Sequence, residues 1–245
     1  MNNYSYDRDL EALLAAPTQQ RARSVGSSRF ITLTYVNLMG AVALFALLEY
    51  LVFAIVGRET IMNFLISTGG RVLGFGTLAL CIGGPWIANQ ILQNSESRAA
   101  QYSVLAFYSV MYAILFVPIL TIAQNFCEAP VISQAIGLTV SIFAALSAAV
   151  FVTRANFSFL RTGLVFMGIA ALVLIVVALI FGFELGIWFS VAMIIFACGY
   201  ILYDTSNLIH ECGDGDDIVA SIALFGSLMT LFFYILRLLI ALNRR

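Results

Sequence analysis

Long apolar stretches separated by short polar breaks run through nearly the whole chain. Stretches at 31–56, 72–92, 102–123, 131–152, 160–181, 186–207 and 218–242 each supply the roughly 20 residues of helix that cross a hydrocarbon core about 30 Å thick. The breaks read GRETIMN, QNSESRAAQ, QNFCEAP, TRANFSF, GFEL and HECGDGDD. Connections this short force successive helices to run antiparallel. The pattern predicts an all-α integral membrane protein, a seven-transmembrane-helix bundle over residues 31–245. Residues 1–30 form a cytoplasmic N-terminal tail, read as flexible, with DLEALLAA as a possible short amphipathic helix. No room remains for a soluble domain.

Composition agrees with the pattern. Hydrophobic residues make up 62% of the chain, charged residues 10%, and the mean hydropathy is +0.99, far from the roughly 25% charge of soluble domains. All twelve basic residues are Arg, which removes Schiff-base and P-loop lysine chemistry. The tail carries charges and no apolar core, so it does not read as a cleavable signal peptide. Cys81, Cys127, Cys198 and Cys212 have no paired spacing and read as small hydrophobic residues rather than disulfides or metal ligands. No internal repeat of the kind many transporters carry is visible. Pro85 and Pro118 fall inside spans and are expected to kink them. Gly70 and Gly74 have the spacing of a close helix contact.

Basic residues near span ends set orientation. With the N-terminus inside, Arg8, Arg21, Arg23, Arg29, Arg98, Arg154 and Arg161 face the cytoplasm, against Arg58, Arg71, Arg237, Arg244 and Arg245 outside. The Arg244–Arg245 pair keeps a six-span variant with a re-entrant last segment open. Either count puts the 207–217 loop on the cytoplasmic side.

Charges within spans need a partner or a wet cavity, since each costs about 2.5–3.5 kcal/mol at mid-helix on insertion scales. Glu49 and Arg237 both lie about 27 Å from the inner surface at 1.5 Å per residue, which predicts an interhelical ion pair. Arg71 competes for Glu49, and separate snorkelling to the headgroups is the alternative. Asp204 ends the sixth span close to Tyr200 and Tyr203, with no obvious base near it. It reads either as a helix-end residue reaching water or as a gate whose charge follows cytoplasmic pH and which coordinates a cation, weakly calcium. Ser227, Thr230, Tyr234 and Arg237 share one face of the last span. With Tyr200, the positions Thr230 and Tyr234 read as an ion path, or as ordinary packing.

GDGDD lacks the twelve-residue loop and terminal Glu of an EF-hand and reads as a solvated turn. His210 is the single histidine, so neither a histidine zinc cluster nor a Ser-His-Asp arrangement can be assembled. No catalytic residues, cofactor or nucleic-acid site are assigned.

Three stretches together carry a resemblance: IFAALSAAVFVTRANFSFL at the fourth-to-fifth span junction, YILYDT ending the sixth span and LFFYILRLL ending the seventh. Over about residues 30–242 the chain resembles the Bax inhibitor family, the transmembrane Bax inhibitor motif proteins, and reads as a divergent bacterial member. Thr153, Phe157, Ser158, Phe159 and Leu160 match the family habit, with Asn156 where an aspartate is usual. The resemblance implies a bundle in which the last helix is central, and a slow, pH-sensitive calcium leak. It also implies that Asp204 belongs to a proton-sharing aspartate pair that latches the cytoplasmic side. Ser227 stands where the second aspartate is expected, so an Asp204–Ser227 bond replaces the pair, with proton sensing weaker or moved to lower pH and weaker calcium affinity. Arg237 matches the family's arginine, which pairs with an acid.

The expected function is a pH-modulated passive cation leak for calcium, not an enzyme, with Asp204 as gate. Its partners are the lipid bilayer and the cation. The alternative is a non-transporting regulator that binds a membrane-anchored quality-control protease, since bacterial relatives act in that way, with the tail as the contact. An intramembrane hydrolase ranks third for want of paired carboxylates or a Ser-Lys pair. The expected location is a bacterial inner membrane with the N-terminus cytoplasmic, or the endoplasmic reticulum in a eukaryote.

Overall fold

The computed structural model describes residues 28–94, 97–127, 130–213 and 215–243; of Arg71, Gln93 and Asn94 it describes the backbone alone. Residues 28–30 of the expected tail are already helical; its remaining residues lie outside the described ones, as do Arg244, Arg245 and the side chain of Arg71. Among the described residues the protein is all-helical: α1 (Ser28–Ile55), α2 (Arg58–Thr68), α3 (Gly70–Asn94), α4 (Arg98–Phe126), α5 (Val131–Thr153), α6 (Leu160–Phe181), α7 (Ile187–His210) and α8 (Asp217–Asn243). Every helix except α2 is long and apolar enough to cross a membrane, seven in all. The protein is an integral membrane helical bundle.

One expected connection is wrong in kind. GRETIMN is not a simple break, because residues 58–68 form a helix of their own. Glycines in the left-handed region bound it, Gly57 at φ 79° and Gly69 at φ 77°. A side chain with a Cβ rarely adopts that conformation, so the two glycines bound α2 as a separate element between two spans. Pro85 and Pro118 stay within continuous helices.

The last helix is the central one. α8 packs against α1, α4, α5 and α7, while α3 rests on α4 and α6 on α7. Leu224, Phe225, Leu231 and Leu236 of α8 are fully buried. By contrast α6 turns Phe166, Ile169, Val173, Ile180 and Phe181 outward, as a lipid-facing helix does.

Lipid tails are as apolar as leucine, so association inside a bilayer depends on close packing rather than on the hydrophobic effect. Two devices provide it. Phe116 of α4 stacks on Phe232 at 5.1 Å and meets Phe45 and Phe233 edge-on at 5.2 and 5.6 Å, tying α1, α4 and α8 together. Small residues set the other approaches. Gly74 faces Leu179, and Gly84 faces Met111, whereas Gly70 has open space around it, so only one member of the expected glycine pair serves a contact.

Replacing Phe116 by Ala should therefore cost about 3 kcal/mol through the cavity it leaves. Phe181→Ala, on the lipid side, should change stability by less than about 0.5 kcal/mol. Unfolding in mixed micelles with a denaturing detergent measures both; equal losses would contradict the assignment of the packed core.

Candidate functional site

The sites of interest gather at the end of the bundle where α7 finishes and α8 begins. The connection between them is tight. Glu211 N–H and Cys212 N–H both donate to the Asn207 carbonyl, at 2.9 and 3.1 Å, and Gly213 N–H donates to Asp216 Oδ2 at 3.2 Å. The α5–α6 connection docks on the same end of α7. Ser206 Oγ accepts from Phe157 N–H at 2.9 Å and donates to the Ala155 carbonyl at 3.3 Å. Asn156, at the position expected to hold an aspartate, accepts through Oδ1 from the backbone N–H of Ser158 at 2.9 Å.

Asp204 lies six residues before the end of α7, about 9 Å along the axis. Its side chain is half-buried, and Ser227 Oγ of α8 donates to Asp204 Oδ2. Ser227 also lies 3.1 Å from the Ala223 carbonyl of its own helix. A hydroxyl has one proton, so when Asp204 is ionised the carboxylate takes it and Ala223 is the weaker partner.

Both residues line a crevice of about 420 Å³ between α3, α4, α7 and α8. α7 contributes Phe196, Ala197, Tyr200 and Asp204, and α8 contributes Ile222, Ala223, Gly226, Ser227 and Thr230. These positions fall at three- and four-residue intervals, one face of each helix. Tyr108 and Tyr112 of α4 and Pro85 of α3 complete the wall. Thr230 Oγ1 and Tyr112 Oη both donate to the Gly226 carbonyl, at 2.8 and 3.4 Å. Among the described lining residues Asp204 carries the one formal charge.

Of the expected ion-path residues, Tyr200 and Thr230 line this crevice and Tyr234 does not. Tyr234 is buried beside it in a cluster with Leu164, Met193 and Phe196, against which Tyr200 also packs, and meets the rings of Phe189 and Phe233. The shared face of α8 is wide enough to divide between two neighbourhoods.

The Glu49–Arg237 ion pair does not form. Arg237 donates to the Leu185 carbonyl at 2.6 Å and its guanidinium lies 5.7 Å from the Phe189 ring, which turns it toward the start of α7. Both Glu49 oxygens are buried with no hydrogen-bond partner among the described residues. Equal depth in the membrane does not imply equal direction around the helix axis. Ser221 Oγ lies within hydrogen-bonding distance of two carbonyls, Asp217 of its own helix at 2.5 Å and Thr34 of α1 at 2.9 Å. That register sets Leu236 level with Glu49, and Arg237 lies a further 100° around α8.

A different ion pair was not foreseen. Arg98 Nη2 at the start of α4 lies 2.5 Å from Asp217 Oδ1 at the start of α8, and Asn37 Nδ2 of α1 donates to Asp217 Oδ2 at 3.1 Å. Asp217 was read as part of a solvated turn; its side chain is only 3% exposed. The first turn of α8 favours an acid by its dipole, and the two donors satisfy the carboxylate. The signal was present in the sequence: an Arg and an Asp each open a helix at the same end of an antiparallel bundle. Tyr108 and Tyr112 were also missed, although four-residue spacing puts them on one face of α4.

Next to Asp204, Thr205 turns into the core. Its hydroxyl and that of Ser147 face Tyr35, but none of the three reaches hydrogen-bonding geometry. Among the described residues no three His, Cys, Asp or Glu side chains come together as metal ligands. The four cysteines are free. Burial, then Asp216, Glu211 and Asp204, push the Cys212 thiol up to about 11.

Residues 27–245 match the sequence model of the family described as Bax1-I, inhibitor of apoptosis-promoting Bax1. The chain belongs to this family. It is 36% identical over 126 residues to the modulator of FtsH protease YccA of Escherichia coli (strain K12), covering 50% of this chain and 56% of that one. It is 32% identical over 122 residues to Bax inhibitor 1 of Schizosaccharomyces pombe, covering 48% and 45%. The Golgi anti-apoptotic protein of vaccinia virus (strain Lister) is 31% identical over 133 residues, covering 51% and 54%. The matched segments span about half the length of these relatives.

Two outcomes follow for the residues at this end. Arg98→Ala should cost about 1–2 kcal/mol, discounted for the exposure of Arg98, and a double-mutant cycle with Asp217→Asn should return a coupling of about 1 kcal/mol; additive losses would show that the contact contributes nothing. In a variant keeping Cys212 as its one cysteine, maleimide labelling should be slow at pH 8 and accelerate toward pH 11. An ordinary thiol, with a pKa of about 8.5, is already past half its full rate at pH 9.

Proposed function

We propose that this Bax inhibitor family protein is a pH-modulated passive leak for cations, calcium among them, and has no enzymatic activity. The observation that carries the reading is Asp204: a carboxylate with no basic partner among the described residues, lining a crevice and bonded to Ser227 of the central helix. Protonation of Asp204 changes both the charge of the crevice and the direction of the α7–α8 hydrogen bond. A latch of that kind responds to pH through one carboxyl. With a second carboxylate at position 227 the two groups would share a proton, because both cannot ionise together at close range, so the serine leaves the response weaker or moves it to lower pH. The membrane is the bacterial inner membrane and the N-terminus is cytoplasmic, which places Asp204 at the cytoplasmic mouth.

A second reading rests on the 36% identity to the Escherichia coli modulator of FtsH protease. In this reading the protein binds a membrane-anchored protease through residues 1–28 and transports nothing.

Calcium uptake into proteoliposomes at pH 6, 7 and 8 tests the first reading. Asp204→Asn should abolish the pH dependence, and Ser227→Asp should increase the pH sensitivity. Flux whose pH response is unchanged in Asp204→Asn would remove Asp204 from the gate. Deleting residues 1–28 tests the second, which predicts that co-purification with the protease is lost while the bundle stays folded.

A further inference from the structure

The crevice is built for something other than a bare metal ion. Calcium takes six to eight oxygen ligands, with several carboxylates. Here one carboxylate faces the space, and the hydroxyls of Tyr112 and Thr230 are turned to the Gly226 carbonyl. The rest of the wall is aromatic and apolar: Tyr108, Tyr112, Phe196 and Tyr200 line it together. The rings stand in two groups on opposite helices. Tyr108 and Tyr112 lie 6.5 Å apart on α4, and Phe196 and Tyr200 meet edge-on at 4.8 Å on α7. At about 420 Å³ the space falls within the range of small-molecule pockets, about 300–1,000 Å³. A single carboxylate among several aromatic rings is the chemistry that recognises alkylated ammonium, by charge at one point and by cation–π and apolar contact elsewhere.

We propose that this crevice binds a small organic ammonium ion, its charged nitrogen at Asp204 and its alkyl or aryl groups against Tyr108, Tyr112, Phe196 and Tyr200. The proposal rests on the reading of Asp204 as the cation-facing group and adds the ligand class. It does not require flux. Ser227 holds one oxygen of Asp204 from the α8 side, so the carboxylate is fixed in direction before the ligand arrives. Such a ligand occupies the space between α4 and α8 and stands in the path of any ion that passes Asp204.

The test is equilibrium binding of radiolabelled benzyltrimethylammonium to the full chain in lipid nanodiscs, with neopentylbenzene as the neutral competitor of the same shape. The native protein should bind saturably. Asp204→Asn should weaken binding by about tenfold or more, and the double substitution Tyr108→Leu with Tyr200→Leu by about three- to tenfold. Neither millimolar calcium nor neopentylbenzene should displace the probe. The double substitution leaves the Asp204–Ser227 bond in place and keeps the test decisive if Asp204→Asn does not fold. The proposal is overturned by the absence of saturable binding, by unchanged affinity in the folded variants, by competition from the neutral compound, or by displacement with millimolar calcium. Binding without calcium flux would retain this site and discard the leak; flux without binding would do the reverse.

Discussion

The position of α8 in the middle of the bundle is the constraint on which the remaining structure depends. A helix packed against α1, α4, α5 and α7 has little lipid face to which a polar side chain can be turned at low cost. Each polar group along it must meet a partner on a neighbouring helix, its own backbone, or a cavity. Asp217 meets Arg98 and Asn37, Ser221 meets the Thr34 carbonyl, Ser227 meets Asp204, and Thr230 meets the Gly226 carbonyl. Arg237 finds the Leu185 carbonyl near the far end. The polar series along α8 is thus also the record of its neighbours.

Two of these contacts tie the same end of the bundle by different chemistry. The Arg98–Asp217 pair joins α4 to α8 with a buried carboxylate satisfied from two sides, a contact whose loss leaves a charge stranded. The Asp204–Ser227 bond joins α7 to α8 with one proton. The crevice lies between α4, α7 and α8, so one of its flanking helices is tied to α8 by an ion pair and the other by a hydrogen bond.

Glu49 is the counterexample to satisfaction. Its two oxygens are buried on α1 with no partner among the described residues, one turn from Phe45, which packs on Phe116. Depth alone paired it with Arg237, and the actual rotation of α8 gave Arg237 to α7.

The sequence by itself determined the seven spans, because the length of an apolar run against the thickness of a bilayer is a local property. It also determined the identity of Asp204 and Ser227 as partners, through motifs that resemble a family rather than through spacing. What the tertiary structure decided was direction around each helix axis. That left Tyr234 out of the crevice that Tyr200 and Thr230 line, and sent Glu49 and Arg237 to different surroundings. It also drew Asp217 out of an apparently solvated loop onto Arg98, and set Tyr108 and Tyr112 opposite Asp204. Position along the chain gives depth, but contact needs depth, rotation and register together, and the last two are settled only when several helices pack at once.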